Sequence, residues 1–378
     1  MILQGRNVFL DGAFRPAQIE TDGKRIRAIR PYGGLPADFD FADGRIVPGF
    51  YDVHTHGYKG YDTDDGTEDG LRVWLREIPR EGVCGICPTL ITQSREVLSN
   101  ALKNVASLAG KDYEGARILG IHLEGPYLDK AYSGAQPERY CVTGTVGELE
   151  GYVKDAGGLL RILTIAPEHD EGFRLIRYCA ENGINASLGH SGATFECARE
   201  AVKAGARGFT HTFNGMSPFT HRANGMVGAA LLSDECWSEL ICDAYHSSAA
   251  AKKLFFRAKP TDRTVMVSDA LKMKGLPAGS KSLFGGQEVE VREGGDCRLA
   301  GTDRLAGSTM RMNDGLRRLV EEVGLPFGDA IRTCTVNPAE YLRIGDRGLL
   351  REGFIADVTV LDDGYDVLAT FAEGKKVF

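Results

Sequence analysis

Eight apolar, strand-like runs recur along this chain, and helical stretches separate most of them. The runs are IVPGFYDVHTHG, VCGICPTLI, RILGIHLEGP, LLRILTIAPE, GINASLGH, GFTHTFNGM, ELICDAYH and TVMVSDAL. Short apolar runs of this kind suit strands covered on both faces, as in a parallel sheet whose crossovers are helices. Between them, stretches such as TEDGLRVWLREIPREG, SREVLSNALKNVASLAG, EGFRLIRYCAENG and TFECAREAVKAGA repeat their apolar residues at helical spacing. Several end at a glycine, the expected helix stop. Eight such units in a chain of 378 residues predict an α/β fold, a (β/α)8 barrel of the TIM type. An open doubly wound sheet is the alternative, but no GxGxxG turn follows the early strands to support it as a nucleotide binder.

The two ends read differently. Residues 1–47 form short alternating segments joined by Gly- and Asp-rich turns, and residues 347–378 have the same character. Neither end can bury a core alone, so the expectation is one small β-sandwich domain built from both termini. The barrel then occupies residues 48–346, with a β-rich insertion near 276–308. The N-terminal residues lack the pattern of a signal peptide, and no run of 18 apolar residues could span a bilayer. Nine scattered cysteines, an odd number, predict reduced thiols in a cytoplasmic compartment. Cys84 and Cys87 form a CxxC inside an apolar run and read as core residues. A net charge of −7 argues against nucleic acid or an anionic membrane as partner. A phosphate ligand would have to meet a local cationic pocket.

In a barrel of this type the active site lies at the C-terminal ends of the strands. The first run ends in His54-Thr55-His56, the third in Glu124 and the fifth in His190. The sixth ends in His211, the seventh in His246 and the eighth in Asp269. Six of the eight histidines (His54, His56, His122, His190, His211 and His246) thus fall on predicted barrel strands. H-x-H on a strand puts both imidazoles on one face. With Glu124, His190 and His211 they make an N/O-rich ligand set suited to Zn2+, Fe2+, Co2+ or Mn2+. Such a site serves hydrolysis, because the ion acidifies water and polarises a carbonyl. A nearby carboxylate is needed to move the proton, and Asp269 is the candidate. His122, two residues before Glu124 and deeper, is expected to support the ligands rather than join them.

The segments PGFYDVHTHG, GIHLEGPYL, LGHSGAT, THTFNGMSPFTHRANGMVGAAL, VSDALKMKGLPAG, LAGSTMRMNDGLRRL, NPAEYL and GLLREGFIADVTVLD resemble the N-acetylglucosamine-6-phosphate deacetylase family of the amidohydrolase superfamily. They run from residue 48 to beyond residue 360, essentially the whole chain. The resemblance implies metal-dependent deacetylation of N-acetylglucosamine 6-phosphate to glucosamine 6-phosphate and acetate. A related N-acetylhexosamine 6-phosphate such as the galactosamine epimer, or another N-acyl or cyclic amide, is the alternative substrate. The resemblance also implies that Glu124, His190 and His211 bind one divalent ion and that His54 and His56 hold a second. One or two ions per subunit are expected, zinc first. Asp269 is implied as general base and acid, Asn214 and Gly215 as sugar and phosphate contacts, and His246 and Arg222 as phosphate contacts. In the family that arginine reaches across from the neighbouring subunit, which implies a homodimer. The guanidinium of Arg222, in a Gly-rich loop beside His221, has the planar fork that suits phosphate oxygens.

One position departs from the family pattern. Family members usually carry a histidine about twelve residues after the EGP glutamate, where this chain reads Ser133-Gly134-Ala135-Gln136-Pro137. Gln136 is therefore expected to contact the substrate and donate to its carbonyl, although an amide cannot become a cation.

Overall fold

The computed structural model describes residues 1–378. All eight apolar runs form strands: β1 (Phe50–Thr55), β2 (Val83–Leu90), β3 (Ile121–Glu124), β4 (Leu160–Ile165), β5 (Asn185–Leu188), β6 (Gly208–Phe209), β7 (Trp237–Ile241) and β8 (Thr264–Val267). Each pairs in parallel with the next. The seam between β8 and β1 is held by a few bonds from residues just past β8 to the end of β1: Asp269 N–H donates to His54 O at 2.8 Å and His56 N–H to Ala270 O at 2.8 Å. The barrel thus closes through the residues expected to carry its chemistry.

Helices follow the strands as the periodicity predicts. In α1 (Arg95–Ala109) the residues Leu98, Ala101, Leu102, Val105 and Leu108 are buried, a single stripe facing the barrel. Ser94 caps it by accepting from Val97 N–H, and Gly110 ends it. Thr194 caps α2 (Phe195–Ala204) in the same way, and Ser248 caps α3 (Ala249–Ala258). No helix is long and apolar enough to cross a membrane.

Both termini join in one hydrogen-bonded sheet of eight strands beside the barrel. Arg45–Pro48 is its hinge, pairing in parallel with Asn7 and Val8 and antiparallel with Val358–Leu361. Leu3, Val8, Ile19, Ile46, Val358, Val360 and Phe371 form a core shared by the two ends of the chain. Gly49 links this sheet to β1 where only a glycine fits, because a Cβ would lie 2.3 Å from Cys84 Sγ. Cys84 and Cys87 are buried free thiols, and burial pushes both up in pKa. The segment after β8 forms a three-stranded antiparallel sheet, Lys281–Phe284, Gln287–Val291 and Cys297–Leu299. It brings Phe284 to 5.6 Å from the His56 ring, over the mouth of the barrel.

Candidate active site

Three of the expected residues sit just past their strands with left-handed backbone: His190 (φ 48°), His211 (φ 31°) and Asp269 (φ 48°). This conformation costs a non-glycine residue about 1–3 kcal/mol, so the surroundings must hold it. His190 O accepts from Asp129 N–H at 2.9 Å, and Asp269 O accepts from Ser308 N–H at 2.7 Å. The residue before Asp269 is clamped by buried Asp52, which accepts from Ser268 Oγ at 2.5 Å and Ser268 N–H at 3.2 Å. Each reversal turns a side chain inward over the barrel mouth.

There the side chains converge. Glu124 Oε1 lies 3.1 Å from His190 Nε2 and 3.0 Å from His211 Nε2, and the two nitrogens are 3.1 Å apart. His56 Nε2 lies 3.0 Å from Asp269 Oδ1 and 3.4 Å from Glu124 Oε2. His54 Nε2 stands 3.5 Å from both Glu124 Oε1 and Asp269 Oδ1. Glu124 is therefore common to two ligand sets, one with His190 and His211, the other with His54, His56 and Asp269. His122 is not among them: its Nε2 bonds Thr164 Oγ1 at 2.8 Å beneath the His54 ring.

The outward nitrogens of three of the four cluster histidines are tied back, while His211 Nδ1 has no partner. His54 Nδ1 meets Glu239 Oε2 at 2.9 Å, His56 Nδ1 meets Thr89 O at 3.2 Å, and His190 Nδ1 meets Tyr132 O at 2.8 Å. An N–H on Nδ1 in each case leaves Nε2 with its lone pair aimed into the cluster, the arrangement of a metal-ligating imidazole. The buried His54 Nε2 has no hydrogen-bond partner at all. Bonds of about 2.0–2.1 Å to a tetrahedral zinc ion put ligand atoms roughly 3.3 Å apart, close to the spacing around Glu124. The residues fit a divalent ion.

The charges agree with that. Burial alone would pull His56 down, but its bonds to Asp269 and Glu124 raise it to about 10. His54 and His190 are likewise held above the ordinary histidine range, against burial, by the same carboxylates. Burial opposes ionisation of Glu124 and Asp269, yet the surrounding imidazoles hold both below the ordinary carboxylate range. Carboxylates that draw protons onto three imidazoles would hold a divalent cation in place of those protons.

Above the cluster is a cavity of about 190 Å³. Gln136, Asn214, Gly215, His246 and Asp269 all line it. Asn214 is oriented by a 3.2 Å bond from Nδ2 to His211 O. Gly215 has φ 57°, and a Cβ there would press to 2.9 Å from His190 Nδ1. His246 Nδ1 bonds Asp243 Oδ2 at 2.7 Å, and this partner holds its pKa above the ordinary range although burial pulls the other way. Gln136 is buried against the ligands: its Nε2 donates to Glu124 Oε2 at 2.6 Å, and its Oε1 accepts from Thr92 N–H at 2.6 Å. Arg222 and His221 are exposed on a loop and do not line the cavity of their own chain.

Reasoning on strand ends passed over Asp52, Glu239 and Asp243. The first two leave a signal, a lone carboxylate inside an apolar barrel strand (FYDVHT and WSELI), where a charge without a task is costly. Asp243 heads the D-x-x-H segment that named His246, but its hold on the ring is seen only once the turn that joins them is formed.

Residues 45–377 match the amidohydrolase family. The chain is 38% identical over 341 residues to an N-acetylglucosamine-6-phosphate deacetylase of Bacillus subtilis, spanning 89% of this chain and 85% of that one. It is 34% identical over 352 residues to an N-acetylgalactosamine-6-phosphate deacetylase of Escherichia coli, spanning 93% and 92%. Among solved structures it is similar to a mutant N-acetyl-D-glucosamine-6-phosphate deacetylase from Mycobacterium smegmatis in complex with N-acetyl-D-glucosamine-6-phosphate. That match has a TM-score of 0.94 at 30% identity, covering 100% of this chain and 99% of the other.

Proposed function

Because this chain belongs to the amidohydrolase family and, within it, to the N-acetylglucosamine-6-phosphate deacetylases, we propose that it hydrolyses the acetamide of N-acetylglucosamine 6-phosphate to glucosamine 6-phosphate and acetate. One observation carries this reading: Glu124 lies against both the His190/His211 pair and the His54/His56 pair directly beside Asp269, at the floor of a cavity that His246 also lines.

Glu124, His190 and His211 would hold one divalent ion, and His54 and His56, together with Glu124, a second beside Asp269. The mixed imidazole and carboxylate donors favour zinc, with Fe2+, Co2+ and Mn2+ as alternatives. When bound, such an ion acidifies water and polarises the amide carbonyl. The chain's own part is proton movement and positioning. Asp269, ionised at neutral pH, accepts a proton from water as the water oxygen bonds to the acetyl carbon. As the carbon–nitrogen bond breaks, Asp269 returns that proton to the departing amine. Gln136, Asn214 and Gly215 bound the space for the sugar and acetyl group. Protonated His246 meets the 6-phosphate.

That cavity has no arginine or lysine of its own chain among its lining residues. A dianion therefore lacks a guanidinium there, and Arg222 of the partner subunit in a homodimer supplies it. We place the protein in the cytoplasm, where its nine free cysteines remain reduced.

The test is metal analysis paired with acetate release from the 6-phosphates of N-acetylglucosamine and N-acetylgalactosamine and from unphosphorylated N-acetylglucosamine. Fastest release from the glucosamine substrate by metal-loaded protein is expected. Equal rates with and without the phosphate would overturn the assignment.

A further inference from the structure

Glu239 touches both ligand sets without lining the cavity. It sits in the middle of β7, 1% exposed, between Ser238 and Leu240. Its Oε2 accepts from His54 Nδ1–H at 2.9 Å and from the peptide N–H of His211 at 3.3 Å. Its own peptide O accepts from Thr212 N–H at 2.8 Å. One residue thus orients the imidazole of one set and ties down the left-handed backbone of the other. The only cationic or potentially cationic side chain paired with Glu239 is His54. A carboxylate this deep is costly unless positive charge compensates it; of the two imidazoles whose ring nitrogens lie within 4.8 Å of it, His54 and His122, only His54 is bonded to it and reaches the ligand sets.

We propose that Glu239 is the positioning residue that fixes His54 as the Nδ1–H tautomer and couples its own charge to an ion held on Nε2. The inference rests on the metal-dependent reading of the site and adds to it the residue that makes His54 a ligand. A neutral isostere at 239 still accepts one N–H but supplies no charge. A truncated residue supplies neither, and the His54 ring is then free to flip or to change tautomer.

The experiment compares wild-type protein with E239Q, E239A, H54A and the H54A/E239Q double variant. Zinc affinity is measured by competition with a chromophoric chelator, and folding is checked by thermal melting. In E239Q the ion held through His54 is expected to bind about 10–100-fold more weakly. In the H54A background the same change is expected to have no further effect. A general structural role for Glu239 would instead lower affinity equally in both backgrounds, and that outcome overturns the proposal. In zinc-loaded protein labelled at histidine nitrogen, wild type should show an exchange-protected Nδ1–H on His54, and E239A should lose that protection. If E239A does not fold, E239Q and the double variant decide. Zinc uptake with E239Q indistinguishable from wild type overturns this inference alone, whereas wild-type protein that takes up no zinc overturns the metal reading with it.

Discussion

Gln136 Nε2 donates to Glu124 Oε2 at 2.6 Å while Gln136 Oε1 accepts from Thr92 N–H at 2.6 Å, so one side-chain amide spans from the start of a loop after β2 to the carboxylate shared by both ligand sets. With Oε2 so engaged, Oε1 is the oxygen that faces His190 and His211. The side chain expected from sequence to meet the substrate carbonyl thus has a second task, holding Glu124 in one orientation.

Gln136→Ala should therefore be felt before any substrate binds. It leaves a buried peptide N–H and a buried carboxylate oxygen without their partner, which costs about 1–3 kcal/mol. Urea unfolding of metal-free wild type and variant reads this directly. An unchanged midpoint would mean that the amide contributes nothing to the resting site.

Asp269→Asn keeps an oxygen for His56, and the seam bond from the residue 269 peptide N–H to His54 O is unaffected. It removes only the charge and the capacity to take a proton. The turnover number should fall by about 10²–10⁴-fold, with metal content unchanged by elemental analysis. Loss of metal in step with activity would instead make Asp269 chiefly a ligand.

The barrel and the ligand cluster were legible because both follow from periodicity. Parallel strands covered by helices must be apolar along their length, so histidines and acids at their ends stand out, and H-x-H needs only the two-residue repeat of a strand to bring its rings together. Less legible was what holds those residues. Asp52 reaches Ser268 across 216 positions of sequence, and Glu239 reaches His54 across 185. No local pattern encodes contacts that exist only once the sheet closes. The left-handed turns at His190, His211 and Asp269 were also silent, since glycine, the usual marker of positive φ, is absent there. Arg222 shows the same limit in another form: its motif named it, yet its own chain leaves it on an exposed loop away from the cavity.

With His246 proposed to meet the 6-phosphate, its bond to Asp243 predicts that phosphate recognition depends on pH. Burial pulls His246 down, but the hydrogen bond and charge of Asp243 outweigh it and keep the imidazole protonated above the ordinary histidine range. Because the ring's pKa in the folded protein is raised, it stays protonated above the ordinary histidine range, and its attraction for the phosphate is lost as pH rises through that raised value. KM for the phosphorylated sugar should accordingly rise on the alkaline side of neutrality. In Asp243→Asn that rise should move to lower pH, and with unphosphorylated sugar it should disappear. Parallel KM–pH profiles for both substrates would show it, and identical profiles in wild type and variant would remove His246 from the phosphate site.

Placing Arg222 in the partner's cavity has a consequence that no single-chain arrangement shares. Arg222→Ala abolishes guanidinium supply to the neighbour but leaves the variant's own Asp269 intact, whereas Asp269→Asn does the reverse. In a dimer of one subunit of each kind, the cavity of the Arg222→Ala subunit receives Arg222 of the partner subunit and has its own general base. Unfolding and refolding an equal mixture gives heterodimers as half of all dimers, each with one complete site. About one quarter of wild-type activity should then return from two nearly inactive parents, as follows from a two-fold exchange of identical contacts. Mixing without refolding controls for simple addition. If activity after co-refolding only equals the mean of the two parents, Arg222 does not act across an interface, and the phosphate must be met by a group of its own chain.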